Sequence, residues 1–517
     1  MFTNKQPFFY LFILLIILFS CKDKPIADTV YFNAQIWTGD TNNPSATIIA
    51  IKGNKIMYIG NDEKAFNAKQ KIDLQNKMIV PGFMDNHTHF LLGGYSLSNL
   101  QLKNRHSKQD FIEAIKMYCL KNKNNNWITG GDWNNENWGG EMPNKSWIDS
   151  VSGEHPICIT RYDGHLVLAN SKALQIAQIN NQTISPKGGQ ISKDVQHNLT
   201  GILKDEAMNL ITKKIPLPLP NELSEYLKNA TEYALSNGVT QIVDMGYYNG
   251  WNELQTYLDA YKKNQLKLRI YSVIPLQDWK QLAKYVAIHG RGDDNLKWGG
   301  LKGFVDGSLG SSTAWFYQPY KDNQHTKGIN ITDTINIKNW VTSADSAGLQ
   351  IFMHAIGDKA NDFILETFNY AAIKNKTKES RHRIEHAQHL NNALVEKFKK
   401  YTVIPSMQPY HLFDDGSFAF KRLEEKRLNG MYMIKSLLEN NIPICFGSDW
   451  TVAPINPLLG MYAAVTRETS DGKNKNGWIS AQKISVEQAL KCYTTNNAFS
   501  IFLENKTGKL KVGMYAD

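Results

Sequence analysis

The sequence is poor in several features that would assign it to particular classes of protein. Only 5 of its 517 residues are cysteine, and none forms a Cys-x-x-Cys pair, so neither a disulfide framework nor a cysteine metal site is indicated. No segment repeats at a solenoid period. The net charge is +10, but no basic patch is interleaved with aromatic residues, which argues against nucleic-acid binding. The length allows one large core and a smaller domain.

Long apolar runs are also scarce, and the longest lies at the N-terminus. Residues 8–19 are apolar throughout, which is too short for a membrane span and typical of a signal peptide. The run ends in Leu-Phe-Ser-Cys, which resembles a bacterial lipoprotein processing box. We therefore expect residues 1–20 to be a signal peptide, Cys21 to be lipidated, and residues 21–27 to tether an exported protein to a membrane. A plain signal peptide or an uncleaved anchor is the alternative.

What the sequence does contain is a long series of strand and helix patterns. Residues 28–80 have the pattern of short strands around a hairpin turn signal at Lys52-Gly53-Asn54, which predicts a small β domain. In residues 81–500, apolar runs alternate with amphipathic segments. Eight runs have strand character: residues 83–88, 238–244, 268–274, 301–306, 349–354, 382–386, 403–408 and 443–448. Eight β–α units in series predict an α/β fold, a (β/α)₈ TIM-like barrel.

The connection after the first barrel strand is unusually long. Residues 95–220 exceed the length of an ordinary loop and contain strand-like pieces of their own. We therefore expect an inserted subdomain there. Because loops that follow barrel strands build the active-site face, this insertion is expected to cover the pocket.

Candidate metal ligands occur where the predicted barrel strands end. His87 and His89 are two residues apart in the first strand, so their side chains share a face. Later strands end at or near His354, His386 and Asp449. Each of these residues alone has an ordinary structural explanation, such as a strand cap or a helix N-cap. Their joint placement at the C-terminal mouth of a barrel predicts a metal site with hydrolytic chemistry.

Six motifs together give the chain a resemblance to a known family. From about residue 28 onward it resembles the metal-dependent amidohydrolase superfamily, in the branch that includes N-substituted formamide deformylase-like enzymes. The motifs are Pro-Gly-Phe-Met-Asp-Asn-His-Thr-His (81–89), Arg-Tyr-Asp-Gly-His-Leu-Val-Leu-Ala-Asn-Ser (161–171), Phe-Val-Asp-Gly-Ser-Leu-Gly-Ser-Ser-Thr-Ala (304–314), His-Ala-Ile-Gly-Asp (354–358), Arg-Ile-Glu-His-Ala-Gln (383–388) and Gly-Ser-Asp-Trp (447–450).

The resemblance implies a divalent metal, zinc above all, bound as one or two ions. The implied ligands are His87, His89, His354, His386 and Asp449. In several relatives a lysine of the fourth strand is carboxylated and bridges two metals. Lys302 stands at that place, and its alternative role is that of an ordinary lysine at a strand edge.

The implied chemistry is hydrolysis by a metal-activated water. A divalent metal lowers the pKa of bound water toward ~7, and Asp449 is expected to carry the proton from this water to the departing nitrogen. His165 is expected either to hydrogen-bond the carbonyl oxygen or to be structural. Asp306, Ser308, Ser311 and Trp315 are expected to line the pocket mouth. The aromatic candidates for a pocket wall are Trp133, Trp138, Trp315 and Trp450, each of which has a core role as the alternative.

The C-terminus departs from the family pattern. Residues 501–517 correspond to the start of a segment that returns to the β domain, whereas in relatives the chain continues and completes that domain. The sequence is therefore either a fragment or truncated, and if it is truncated we expect the β domain of residues 28–80 to lack its final strands and to expose an edge.

The leading functional hypothesis is hydrolysis of a non-peptide amide or related C–N bond in a small molecule. A metal-dependent lactonase or phosphoesterase on the same barrel is one alternative, and a ligand-binding lipoprotein without turnover is another. The expected partners are a small-molecule amide-type substrate and a membrane contacted through the N-terminal lipid alone, with no nucleic acid. The sequence leaves a homodimer open.

Overall fold

A computed structural model describes residues 24–123, 127–161, 166–186 and 189–517. The expected signal peptide, the lipidation site at Cys21 and the candidate His165 lie outside the described residues. The chain divides into two compact units, the first containing residues up to Pro81 together with Lys509–Asp517, and the second containing Gly82–Gly508.

The first unit consists of short strands around a small apolar core. Its strands are β1 (Ile26–Phe32), β2 (Gln35–Trp37), β3 (Ser45–Ala46), β4 (Ile48–Lys52), β5 (Lys55–Gly60), β6 (Asn67–Asp73) and β7 (Met78–Ile79). They form a four-stranded sheet in the order β5-β4-β1-β6 and a three-stranded sheet in the order β3-β2-β7. The C-terminal segment belongs to this unit, since Tyr515 bridges Lys55 and Leu510 packs into the core beside Ile36.

The second unit begins with the first barrel strand and then leaves the barrel. Strand β8 (Phe83–Thr88) is buried along its whole length and leads into helix α1 (Phe90–Ser98). The following residues form a six-stranded mixed sheet in the order β13-β14-β12-β11-β10-β9, whose strands are β9 (Leu100–Gln101), β10 (Gly130–Trp133), β11 (Cys158–Arg161), β12 (Leu166–Ala169), β13 (Gly189–Lys193) and β14 (Leu199–Asp205). The helices here are α2 (Lys108–Lys121), α3 (Lys145–Asp149), α4 (Ser171–Ile176) and α5 (Asn209–Thr212).

The predicted barrel is confirmed. After β8 its strands are β15 (Val239–Asp244), β16 (Arg269–Pro275), β17 (Leu296–Phe304), β18 (Gln350–Ala355), β19 (Arg383–His386), β20 (Ile404–Met407) and β21 (Cys445–Phe446). Neighbours pair in parallel from β8 through to β21. A parallel bridge between Thr88 and Trp450 brings the two ends of the sheet together.

Helices alternate with these strands, as the periodicity of the sequence predicts. They are α6 (Pro220–Ser236), α7 (Trp251–Lys262), α8 (Trp279–His289), α9 (Thr334–Ser346), α10 (Asp358–Asn375), α11 (Asn392–Tyr401), α12 (Pro409–Asp415), α13 (Ala419–Arg422), α14 (Glu425–Leu428), α15 (Ile434–Glu439), α16 (Pro457–Thr466), α17 (Val486–Tyr493) and α18 (Thr495–Ser500). Within the described ranges, no helix is long and apolar enough to cross a bilayer. The four cysteines in these ranges are buried free thiols.

Candidate metal centre

The C-terminal ends of the barrel strands bring His87, His89 and Asp449 together. The Nε2 atoms of His87 and His89 lie 3.4 and 3.3 Å from Asp449 Oδ1. The three donor atoms fall within 4.8 Å of one another. Because imidazole nitrogens and a carboxylate oxygen are the ligands that zinc and similar ions take, this donor set fits the divalent metal that the sequence predicts.

Electrostatics keeps His87 and Asp449 in the forms that bind metal. Burial, reinforced by Lys302, lowers the pKa of His87 to about 4, so its imidazole is neutral at physiological pH. Burial alone would raise the pKa of Asp449, but the imidazoles of His87, His89 and His386 hold that pKa well below its ordinary value. Asp449 is therefore an anion that can accept a proton.

The second nitrogen of each imidazole is fixed by a partner. His87 Nδ1 lies 2.6 Å from Glu385 Oε2, and His89 Nδ1 lies 2.7 Å from the carbonyl oxygen of Gly246. These acceptors place the proton on Nδ1 and leave Nε2 free to coordinate. Glu385 is fully buried and accepts a hydrogen bond from Arg383 Nε at 2.8 Å. Burial would raise the pKa of Glu385, but Arg383 and His87 lower that pKa to about 2.

Glu385→Gln is expected to weaken metal binding ~10–100-fold, because the amide keeps the shape but cannot hold the His87 proton as a carboxylate does. Competition with a chromophoric chelator measures the affinity. Glu366→Gln, at a glutamate that pairs with Lys397 on a helix surface, is the control and should leave the affinity unchanged. Equal affinities for the two variants would show that Glu385 does not orient the ligand.

A second carboxylate supports the junction at which the barrel closes. Asp85 Oδ1 accepts the backbone N–H of His87 at 3.1 Å and that of Ser448 at 2.9 Å, and the Ser448 hydroxyl donates to Asp85 Oδ2. Burial raises the pKa of Asp85 to about 7. The contacts tie the strand that carries His87 to the segment that carries Asp449, whose backbone has a φ of +60°. A positive φ at a non-glycine residue costs energy and is common at functional sites.

Lys302 and His386 also reach this centre. Lys302 Nζ lies 3.3 Å from His87 Nε2, and burial lowers the pKa of this lysine to about 8. The His386 ring lies 4.9 Å from the His87 ring and 4.4 Å from that of His354. His354 is adjacent, and its Nε2 lies 3.1 Å from the Gly307 carbonyl oxygen, so Nδ1 is the nitrogen of its ring that is left to coordinate.

His411 is a neighbour that the sequence reasoning missed. It lies on α12 after barrel strand β20, and its Nε2 is 3.8 Å from Asp449 Oδ2. His386, His411 and Asp449 form a second group of three donors within 4.8 Å of one another. The sequence signal for His411 is weak because it lies in a helix and not at a strand end.

The residues expected at the pocket mouth differ from one another in burial. Asp306 is fully buried, and its carboxylate accepts backbone N–H groups of Trp315, Ile356 and Gly357 at 2.7–2.9 Å. Asp306 therefore does not line the pocket, contrary to the expectation from the sequence. Its contacts instead tie the backbone at Trp315 to the backbone at Ile356 and Gly357. Ser308 and Ser311 are at the surface, with their hydroxyl oxygens 2.8 Å apart. Trp315 is half-buried, with Lys359 Nζ 4.4 Å from the centre of its ring.

The three other tryptophans pack against aromatic side chains. Trp133 is fully buried, and both it and Trp138 pack on Phe111 within the inserted segment. Trp450 is buried against Phe90 and Tyr233. Trp133 and Trp450 therefore have the buried positions that the core alternative predicts, and Trp138 is partly buried beside Phe111.

A cavity of about 340 Å³ opens beside the donor group. His89 and Lys302 are among the residues that line it, and none of the described residues that line it is acidic. Its apolar lining, which the sequence reasoning also missed, includes Met245, Tyr247, Leu276, Phe304, Ile337 and Trp340. The volume is at the lower end of the range for small-molecule pockets, roughly 300–1,000 Å³. The geometry therefore supplies a candidate metal centre with room for a small, largely apolar substrate.

Comparisons with known proteins agree with this geometry. The amidohydrolase family model matches residues 70–517. The chain is 37% identical over 506 residues to the protein LONG AFTER FAR-RED 3 of Arabidopsis thaliana, covering 95% of this chain and 86% of that protein. It is 22% identical to the N-substituted formamide deformylase of Arthrobacter pascens, with 95% and 92% covered.

A solved structure shares the architecture over nearly the whole chain. An uncharacterised metal-dependent hydrolase from Pyrococcus horikoshii OT3 superposes with a TM-score of 0.79 at 26% identity, covering 94% of this chain and 96% of that one. The resemblance inferred from the six motifs is thus confirmed. By its family model, its near-full-length relatives and its barrel, the chain belongs to the amidohydrolase family.

Proposed function

We propose that this protein is a metal-dependent hydrolase that cleaves a non-peptide amide or related C–N bond of a small molecule. The observation that carries the proposal is the convergence of His87, His89 and Asp449, with donor atoms within 4.8 Å of one another, beside a cavity that also reaches His89. Membership in a family of hydrolases supports the reaction type, and the relative named as a formamide deformylase supports the bond type.

Metal binding, proton transfer and orientation of a ligand are assigned to particular residues. His87, His89 and Asp449 would hold a divalent ion, which when bound supplies a water of lowered pKa, toward ~7, and polarises the scissile carbonyl. Asp449 takes the proton of the attacking water, because its low pKa keeps it ionised. It then delivers that proton to the nitrogen as the C–N bond breaks. Glu385 holds the proton on His87 Nδ1, 2.6 Å away.

Lys302 is the residue that would allow a second ion to bind. Burial favours its neutral amine, since its pKa is lowered to about 8, and a neutral amine is the form that carbon dioxide can carboxylate. A carboxylated Lys302, 3.3 Å from His87 before modification, would add a bridging ligand. The number of ions is then two, and zinc is the metal we propose.

A substrate screen tests the proposed reaction. The zinc-loaded protein is assayed for amine release from N-formyl, N-acyl and cyclic amide compounds, with lactones and phosphoesters in parallel. Metal-dependent cleavage of at least one amide class is the expected result. Turnover confined to lactones or phosphoesters would replace the proposed reaction with the alternative on the same barrel, and binding without turnover of any compound would leave a binding protein.

The proposed location is outside the cytoplasm, on a membrane to which Cys21 is attached by lipid. The expected result is that mass spectrometry of the mature protein shows a lipid-modified Cys21 at its N-terminus, because the Leu-Phe-Ser-Cys box follows the apolar run. Cys21→Ser should prevent modification and release the protein from the membrane fraction, whereas Cys119→Ser should not. An intact N-terminus containing an unmodified Cys21 would refute lipidation.

A further inference from the structure

We propose that His411 is a metal ligand and that it completes, with His386 and Asp449, a second metal position in this chain. The proposal rests on the metal centre proposed above, and it adds a residue that lies outside the ligand set implied by the sequence motifs. The residue is contributed by helix α12 (Pro409–Asp415), which directly follows barrel strand β20.

The two oxygens of Asp449 face different groups of histidines. Oδ1 lies 3.4 Å from His87 Nε2 and 3.3 Å from His89 Nε2. Oδ2 lies 3.8 Å from His411 Nε2. Because a carboxylate can bind one cation through each oxygen, Asp449 is placed to be shared between two metal positions.

The second group has the properties of a ligand set. His411 Nε2 and His386 Nδ1 are buried, and neither has a hydrogen-bond partner. Leaving such atoms unpaired is unfavourable, and native proteins usually provide a partner or an ion. The His386 and His411 rings are nearly parallel, at an angle of 14° with centroids 6.0 Å apart. One donor atom from each histidine and one from Asp449 lie within 4.8 Å of one another.

His354, which the sequence assigned to the metal site, is placed less favourably than His411. Its Nε2 lies 3.1 Å from the Gly307 carbonyl oxygen and 3.7 Å from Asp306 Oδ1. Among the described residues, His354 belongs to neither group of three donors. His411 rather than His354 therefore faces the carboxylate that the two positions share.

The donor types define which ions the second position accepts. Two imidazoles and one carboxylate suit zinc, cobalt and similar transition ions, whereas calcium and magnesium require mainly oxygen ligands. Cobalt(II) is therefore a suitable probe, since its visible absorption reports the ligands that surround it.

The test is a titration of metal-free protein with Co²⁺, followed by bound metal and by visible absorption. His411→Phe keeps an aromatic ring against His386 but removes the donor nitrogen, and His411→Gln is the second variant. The wild type is expected to bind two ions. Both variants should keep one ion and bind the other at least ~tenfold more weakly, with a corresponding loss of absorption.

His389→Phe is the matched control, because His389 is also buried with an unpartnered Nε2 but belongs to neither donor group. It should bind both ions as the wild type does. A wild-type protein that saturates with one ion, or two ions bound equally well by both His411 variants, would overturn the role of His411 and leave the first metal centre standing. Failure of the wild type to bind any ion would overturn the metal centre and the inference together.

Discussion

Asp449→Asn is expected to lower kcat by ~10²–10⁴-fold, the range typical of general acid–base groups, while the protein keeps its fold and the ion held with His87 and His89. The amide retains the shape of the side chain and one coordinating oxygen, but it cannot accept a proton from water. Asp449 lies 3.3–3.4 Å from two imidazole nitrogens, so the substitution acts at the centre itself. Metal content is assayed beside kcat on the same preparation.

The control for this substitution is Asp345→Asn. Asp345 is buried and its carboxylate pairs with His382 Nε2 at 2.9 Å. Because His382 precedes β19, this pair lies at the N-terminal end of that strand, whereas the metal centre lies at the C-terminal ends of the strands. The variant should lose stability without a comparable loss of kcat. Unchanged turnover in Asp449→Asn would show that Asp449 is not the proton carrier, and loss of metal together with turnover would make it chiefly a ligand.

Removal of the metal is expected to have the largest effect of all, with turnover falling by at least ~10³-fold. Lewis-acid activation supplies several kcal/mol of transition-state stabilisation, and each ~1.4 kcal/mol corresponds to a factor of ten. Dialysis against a chelator followed by assay with and without added Zn²⁺ measures the effect. Readdition of zinc should restore the rate.

The same experiment has a stability readout. An ion that binds the folded chain alone stabilises it by ~4 kcal/mol when free metal is a thousandfold above Kd, so the Tm should fall on chelation and recover on readdition. Full activity in a preparation shown by elemental analysis to be metal-free would exclude a metal mechanism.

The barrel was predictable because its strands are buried on both faces and therefore appear as apolar runs. Strand β8 was predicted with the bounds that the structure shows, Phe83–Thr88. Strand β17 begins at Leu296, five residues before the predicted start. In the sequence, the Gly299-Gly300 pair indicates a break before the strand. In the structure the strand continues through the pair as a bulge, since Gly299 has a φ of +112° and the register with β16 shifts nearby.

The candidate site was predictable only in part. His87, His89 and Asp449 could be found because they end strands, and parallel strands of a barrel end at one mouth. Glu385 could have been recognised from its charge within the buried run 383–386, where a carboxylate requires a partner. His411 and the cavity wall formed by Phe304 and Trp340 could not be found this way, because strand and helix patterns do not show which loops and helices meet.

Anomalous diffraction from zinc-loaded crystals, recorded on both sides of the zinc absorption edge, is the most direct test of the proposed metal centre. We expect a zinc peak bound by His87 Nε2, His89 Nε2 and a carboxylate oxygen of Asp449, at the usual zinc–ligand distances of roughly 2.0–2.2 Å. Zinc bound only at other places in the fold, or zinc at the barrel mouth with no ion in contact with these three residues, would contradict it.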